Sequence, residues 1–139
     1  MNQKIKILVV EDEPAVAALM TFVLTRVGYE VEVAFTGRSG LELATTQKFD
    51  LITLDVDLPG INGFEICREL KKRHISYRTP IIFLSGNGLE ERRAIAFELG
   101  AVDFISKPFN LEDFLSRVEL HTSPTETNRT ATNTGGTTA

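Results

Sequence analysis

Five short runs rich in aliphatic and β-branched residues recur along the chain, each pair separated by a segment with helical spacing. That strict alternation constrains the fold more than any other feature. The runs are IKILVV (5–10), EVEVAF (30–35), DLITL (50–54), PIIFL (80–84) and VDFIS (102–106). Strands joined through helices run parallel within one sheet, because the long crossover returns the chain to the edge it started from. The pattern therefore predicts an α/β fold, a (βα)5 unit with one parallel five-stranded sheet.

The runs also differ in a way that orders the sheet. ILVV, LITL and IIFL are nearly continuous in apolar residues, as strands covered by helices on both faces must be. EVEVAF alternates and VDFIS carries an acid in its middle, patterns that suit half-exposed edges. With the second and fifth strands outside, the order is 2-1-3-4-5, the flavodoxin-like doubly wound arrangement. Its topological switch point lies between strands one and three, where such sheets bind ligands.

The intervening segments carry their own signals. Val16, Leu19, Met20, Val23 and Val27 form a stripe in the first, with Gly28 as its stop. Thr36 is placed to cap a second helix carrying Leu41 and Ala44, and Phe64, Cys67 and Leu70 line a third that gives out near His74. The fourth runs from about residue 89 to Leu99 and stops at Gly100. Asn110 is a plausible N-cap for the fifth, with Leu111, Phe114, Leu115 and Val118 inward and Asp113 completing a capping-box pattern.

Length and charge remove several function classes. The 139 residues suit one domain large enough to bury a core, and a net charge of -4 leaves no footprint for nucleic acid or an anionic membrane. The basic triplet Lys71-Lys72-Arg73 is short and reads as a helix end. A single cysteine, Cys67, excludes an internal disulfide framework and reads as a small buried apolar residue. The start of the chain lacks a signal-peptide core, so a cytoplasmic location is expected. From residue 122 the composition changes to TSPTETNRTATNTGGTTA, too poor in apolar side chains to offset the entropy of ordering. The expected organisation is a domain over 1–121 and a disordered Thr-rich tail or linker stub over 122–139.

The residues that follow each strand carry the chemistry. Glu11 and Asp12 follow the first, Asp55 the third, Ser85 the fourth and Lys107 the fifth. A parallel sheet brings all of these to one carboxyl edge. Glu11, Asp12 and Asp55 would repel one another unless a cation sat among them, which predicts a hard divalent ion such as Mg2+ bound through oxygen. The backbone carbonyl of Asp57 is within reach of the same ion. With the metal and Lys107 drawing off charge, the Asp55 carboxylate becomes a nucleophile towards an in-line phosphoryl group, and Ser85 can donate a hydrogen bond to it. Glu11 and Asp12 have a second reading, as caps of the helix that opens at Pro14.

Four motifs at these positions resemble the receiver domains of response regulators in two-component phosphorelay signalling, the CheY-like family. They are VVEDEP (9–14), LDVDLPGINGFE (54–65), PIIFLSG (80–86) and GAVDFISKPF (100–109), and the resemblance covers roughly residues 4 to 121. It implies that Asp55 is the phospho-acceptor and that Glu11, Asp12, Asp55 and the Asp57 carbonyl arrange Mg2+. It further implies that Ser85 and Phe104 form a switch pair, that Lys107 contacts the phosphoryl group and that Lys107-Pro108 is a cis peptide. The donor it implies is a phosphohistidine on a histidine kinase or phosphotransfer protein. The output would be a protein partner or a detached effector domain, engaged through the fourth helix, fifth strand and fifth helix, with a phosphorylation-dependent dimer also open. The domain would catalyse only its own phosphorylation and slow dephosphorylation.

Two features depart from the family pattern. Gly86 stands where alanine is usual and, with Gly88, is expected to loosen the loop after Ser85. Asp57 adds a side-chain carboxylate at the mouth of the site, able to bind water or metal or to discourage an incoming anion. DVDLP is also similar to the haloacid-dehalogenase signature, in which a second Asp two residues on serves as acid-base. That family carries the pair on its opening strand and in a larger chain with a cap. A flavin carrier on the same fold would want a Ser/Thr- and Gly-rich loop where EDEP stands. A degenerate receiver acting without phosphorylation is a third alternative. His74 and His121 read as helix-end partners, and the charges of LEERRAIAFE as mostly a solvated face.

Overall fold

The computed structural model describes residues 4–75, 79–86 and 90–123. Ten elements alternate without exception: β1 (Lys6–Val10), α1 (Pro14–Arg26), β2 (Glu30–Ala34), α2 (Gly37–Thr46), β3 (Leu51–Asp55), α3 (Gly63–Lys72), β4 (Ile81–Ser85), α4 (Glu90–Glu98), β5 (Asp103–Ser106) and α5 (Leu111–Thr122). The strands form one sheet in the order β2-β1-β3-β4-β5, every pair parallel. The expected doubly wound fold is therefore the observed one. β1, β3 and β4, whose sequences are continuously apolar, are the three interior strands, and β3 and β4 are buried along their whole length.

Alternate residues of each strand feed two separate cores. Leu8, Val10, Ile52, Leu54, Phe83 and Phe104 pack under α2, α3 and α4 with Phe64, Cys67, Leu70 and Ala96. Ile7, Val9, Leu51, Ile82, Leu84 and Ile105 face α1 and α5, meeting Met20, Leu24, Phe114 and Val118. Each fully buried side chain of this size contributes about 1.5–3 kcal/mol of transfer free energy, so the two layers hold the sheet from both sides. Burial also pushes the Cys67 thiol up to about 11, which keeps it an inert core residue.

The helix ends follow local chemistry. Thr36 Oγ1 accepts from the Ser39 N–H, and Asn110 Oδ1 accepts from the Asp113 N–H. Asp113 spends its carboxylate on Arg117, so the pattern at α5 works as a single cap. The full capping box lies at α3, where Asn62 and Glu65 each hold the other's backbone N–H, a reciprocal pair not read from the sequence. Gly28 and Gly100 follow α1 and α4 with φ of 104° and 97°, the left-handed geometry that a glycine stop provides.

The α1 stripe needs correction. Ala17, Met20 and Leu24 are its buried face, whereas Leu19 and Val27 are about half exposed. Met20 is buried and Val16 and Val23 pack against the same core as expected, so the inward arc is widened towards Ala17 and Leu24 at the expense of Leu19 and Val27. Residue 89 and Gly88 fall outside the described residues, as does the expected tail beyond residue 123; α5 itself continues to Thr122, one residue past the expected boundary.

Candidate phosphoryl-transfer site

The parallel register delivers the polar strand ends to one place. Asp55 is the last residue of β3 and pairs with Leu84 of β4; Ser85, the next residue of β4, pairs with Ser106 of β5. Glu11 directly follows β1, and its N–H donates to Ala34 O of β2, continuing the ladder. After Asp55 the chain turns through Gly60, with φ 78°, into α3. A Cβ on Gly63 would lie 2.5 Å from the Asp55 carbonyl oxygen, so only glycine lets the first turn of α3 close against the floor of the site.

Asp55 is buried, 3% exposed, and both of its carboxylate oxygens are held. Oδ1 accepts from the Asp57 N–H at 2.9 Å, and Oδ2 accepts from Lys107 Nζ at 3.0 Å. Lys107 Nζ also lies 2.8 Å from Glu11 Oε1. Carboxylate oxygens of Glu11, Asp12 and Asp55 all lie within 4.8 Å of one another. Burial pushes the Glu11 carboxyl up, with the Asp55 charge adding to it, and the Lys107 ammonium only partly offsets this. For Lys107 burial works downwards, but the hydrogen bonds and charges of Glu11 and Asp55 outweigh it and raise its pKa.

Three carboxylates against one ammonium leave two negative charges in a largely desolvated crevice. An all-oxygen donor set with that surplus fits a divalent hard cation such as Mg2+, so Glu11, Asp12 and Asp55 could hold one. The capping role considered for Glu11 and Asp12 reduces to one contact. Glu13 occupies the N-cap position of α1, and its N–H donates to Glu11 Oε2. The Lys107–Pro108 peptide bond is cis.

A second polar group lies on the α4 side of the crevice. Arg92 Nη1 is 2.6 Å from Asp57 Oδ1 and donates to Ser85 Oγ at 3.0 Å, while Ser85 Oγ donates to Asp57 Oδ2 at 3.3 Å. Burial works upwards on Asp57, yet the Arg92 hydrogen bond and charge, with help from Ser85 and the Gly86 N–H, hold its carboxyl below the usual range. Sequence reasoning missed Arg92 by reading the charges of α4 as a solvated face. The signal was the extra acid Asp57 at the mouth of the site, for which a basic residue on a neighbouring element is a natural partner. Phe104 is 1% exposed, its ring packed inward in the core beneath α4. Asp57, Asp12, Lys107 and Gly86 line a crevice of about 580 Å³ that continues between Val16, Leu19 and Phe109.

A parallel (βα)5 domain with an acidic triad and a lysine at its carboxyl edge defines a class, the doubly wound α/β folds with a polar crevice at the strand ends. The comparisons make this specific: residues 7–119 match the response regulator receiver domain, and the chain belongs to that family. Among solved structures it is similar to a CheY-like receiver domain from Methanospirillum hungatei JF-1, with 28% identity, a TM-score of 0.83, and coverage of 91% of this chain and 99% of that one. Chemotaxis protein CheY4 of Vibrio cholerae is 31% identical with a TM-score of 0.79, over 85% of this chain and 98% of that one. The receiver domain of a sensor histidine kinase from Pseudomonas aeruginosa, 28% identical with a TM-score of 0.78, has a magnesium ion coordinated in its active-site cleft; the match covers 86% of this chain and 98% of that one. Among the described residues, no helix is long and apolar enough to cross a membrane.

Proposed function

We propose that this receiver domain is a phosphorylation-dependent switch in which Asp55 accepts a phosphoryl group from a histidine kinase or phosphotransfer protein. The observation that carries the reading is the arrangement around Asp55. It is a buried carboxylate held at a strand end by Lys107 and the Asp57 N–H, beside two further acids with a divalent surplus of charge. In the transfer, an Asp55 carboxylate oxygen forms a bond to phosphorus as the P–N bond to the donor imidazole breaks and the bonding pair leaves with the nitrogen. Lys107 neutralises one phosphoryl oxygen and the Ser85 hydroxyl donates to another. Glu11, Asp12, Asp55 and the Asp57 carbonyl would hold Mg2+, which when bound supplies charge neutralisation and alignment of the phosphoryl oxygens.

Recruiting Ser85 to the phosphoryl group moves the end of β4. Phe104, beside Phe83 in the β4–β5 register, is the residue through which that movement reaches the α4, β5 and α5 face. The output is a protein partner, an effector domain or a second copy docking on that face. A cytoplasmic location follows from the donor chemistry.

Incubation of the chain with acetyl phosphate and Mg2+, read by intact mass, tests the reading. Wild type gains one phosphoryl group and Asp55→Asn gains none. Rapid multiple turnover of small phosphoesters would instead favour a haloacid-dehalogenase-like phosphatase, and no uptake by wild type would favour a degenerate receiver.

A further inference from the structure

The Asp57 carboxylate stands beside the acceptor, since its own N–H donates to Asp55 Oδ1. Left alone, it would add a fourth negative charge to a crevice that must admit an anionic phosphoryl donor. Arg92 prevents this. It reaches from the first turn of α4 to Asp57 Oδ1 at 2.6 Å and to Ser85 Oγ at 3.0 Å, closing a three-membered ring of hydrogen bonds with the Ser85–Asp57 contact. A guanidinium near a helix N-terminus gains nothing from the helix dipole, so its place is set by the carboxylate rather than by the helix.

We propose that Arg92 is a positioning residue for phosphoryl transfer, one that holds the Asp57 carboxylate on the α4 side of the crevice and cancels its charge. The inference rests on the receiver reading of Asp55 given above. Arg92 does not touch the reacting atoms; it acts through Asp57 and Ser85. Its presence sets two quantities in opposite directions. An unpaired Asp57 would join the acidic triad and tighten divalent-ion binding, yet it would repel an incoming phosphoryl donor. The same ring ties the opening of α4 to Ser85, so drawing the Ser85 hydroxyl to a phosphoryl group gives up the ring's two Ser85 contacts and leaves Arg92 held by Asp57.

The test uses the full chain with Arg92→Gln, Arg92→Lys, Asp57→Asn and the double variant Asp57→Asn/Arg92→Gln. Binding of Mg2+ alone is followed by calorimetric titration, and phosphorylation by acetyl phosphate is followed by intact mass. Arg92→Gln is expected to bind Mg2+ about fivefold more tightly and to be phosphorylated about fivefold more slowly at low ionic strength, with both effects shrinking in high salt. Arg92→Lys restores much of the difference, and the double variant matches Asp57→Asn on both readouts. A general loosening of the fold would not tighten metal binding. The proposal is overturned if Arg92→Gln equals wild type on both readouts, or if its effects persist unchanged in the Asp57→Asn background. Should wild type take up no phosphoryl group, the receiver reading fails, while the Mg2+ titrations still decide the role of Arg92.

Discussion

Two ion-paired groups share the carboxyl edge of the sheet, and they are built to different charge balances. The inner one, Glu11, Asp12, Asp55 and Lys107, is largely buried and carries two uncompensated negative charges. The outer one pairs Asp57 with Arg92 one to one, and both side chains are about a third exposed. A balanced pair at the rim is complete as it stands. A buried cluster short of two positive charges is stable enough to fold but poised to take up a dication, and the molecule places its candidate acceptor there. On the proposed reading, the difference separates a site for chemistry from a group that shields it.

Breaking the cation of each group should sharpen the contrast. Lys107→Met leaves buried Glu11 and Asp55 without their ammonium and is expected to cost about 3 kcal/mol at neutral pH in urea unfolding. That loss should shrink on acidification. Glu11 has a raised pKa in the folded state, so it takes up a proton before the unfolded chain does, and one of the two unpaired charges disappears. Gly63→Ala probes the floor beneath the same cluster, where the added Cβ meets the Asp55 carbonyl and the backbone must shift, at a cost of about 2 kcal/mol. A cost near zero would mean that α3 does not pin the acceptor.

At the rim the effects are smaller. Arg92→Gln should change stability by less than about 1 kcal/mol, because an exposed pair is screened by water and salt. Its cost also shrinks on acidification, but for the opposite reason, a lowered carboxyl pKa rather than a raised one. The Asp57 pKa is depressed, so the contribution of the pair is fully present above the ordinary aspartate value of 3.8 and is lost as pH falls through the folded value. Comparing wild type with Arg92→Gln between pH 7 and pH 3 checks this, and a difference that grows on acidification would contradict it.

The inner cluster was legible in the sequence because it depends on strand ends, and strand ends are fixed by the alternation of apolar runs. Once LITL and IIFL are interior parallel strands, Asp55 and Ser85 arrive at one edge without further information. Arg92 was not legible for a geometric reason. It lies on a helix whose rotation about its axis is weakly marked, since Ala96 is the one buried residue of α4 and gives little periodic signal. The same weakness misled the reading of α1, where small Ala17 rather than Leu19 faces the sheet. Polar residues on strands are placed by topology, whereas those on short, small-residue helices are placed by packing that periodicity does not resolve.

Titration of the unphosphorylated chain with Mg2+ tests the central claim most directly. The account predicts one ion bound per chain, with affinity falling by roughly tenfold or more in Asp12→Asn and rising in Arg92→Gln. No saturable binding, or binding indifferent to Asp12→Asn, would contradict it.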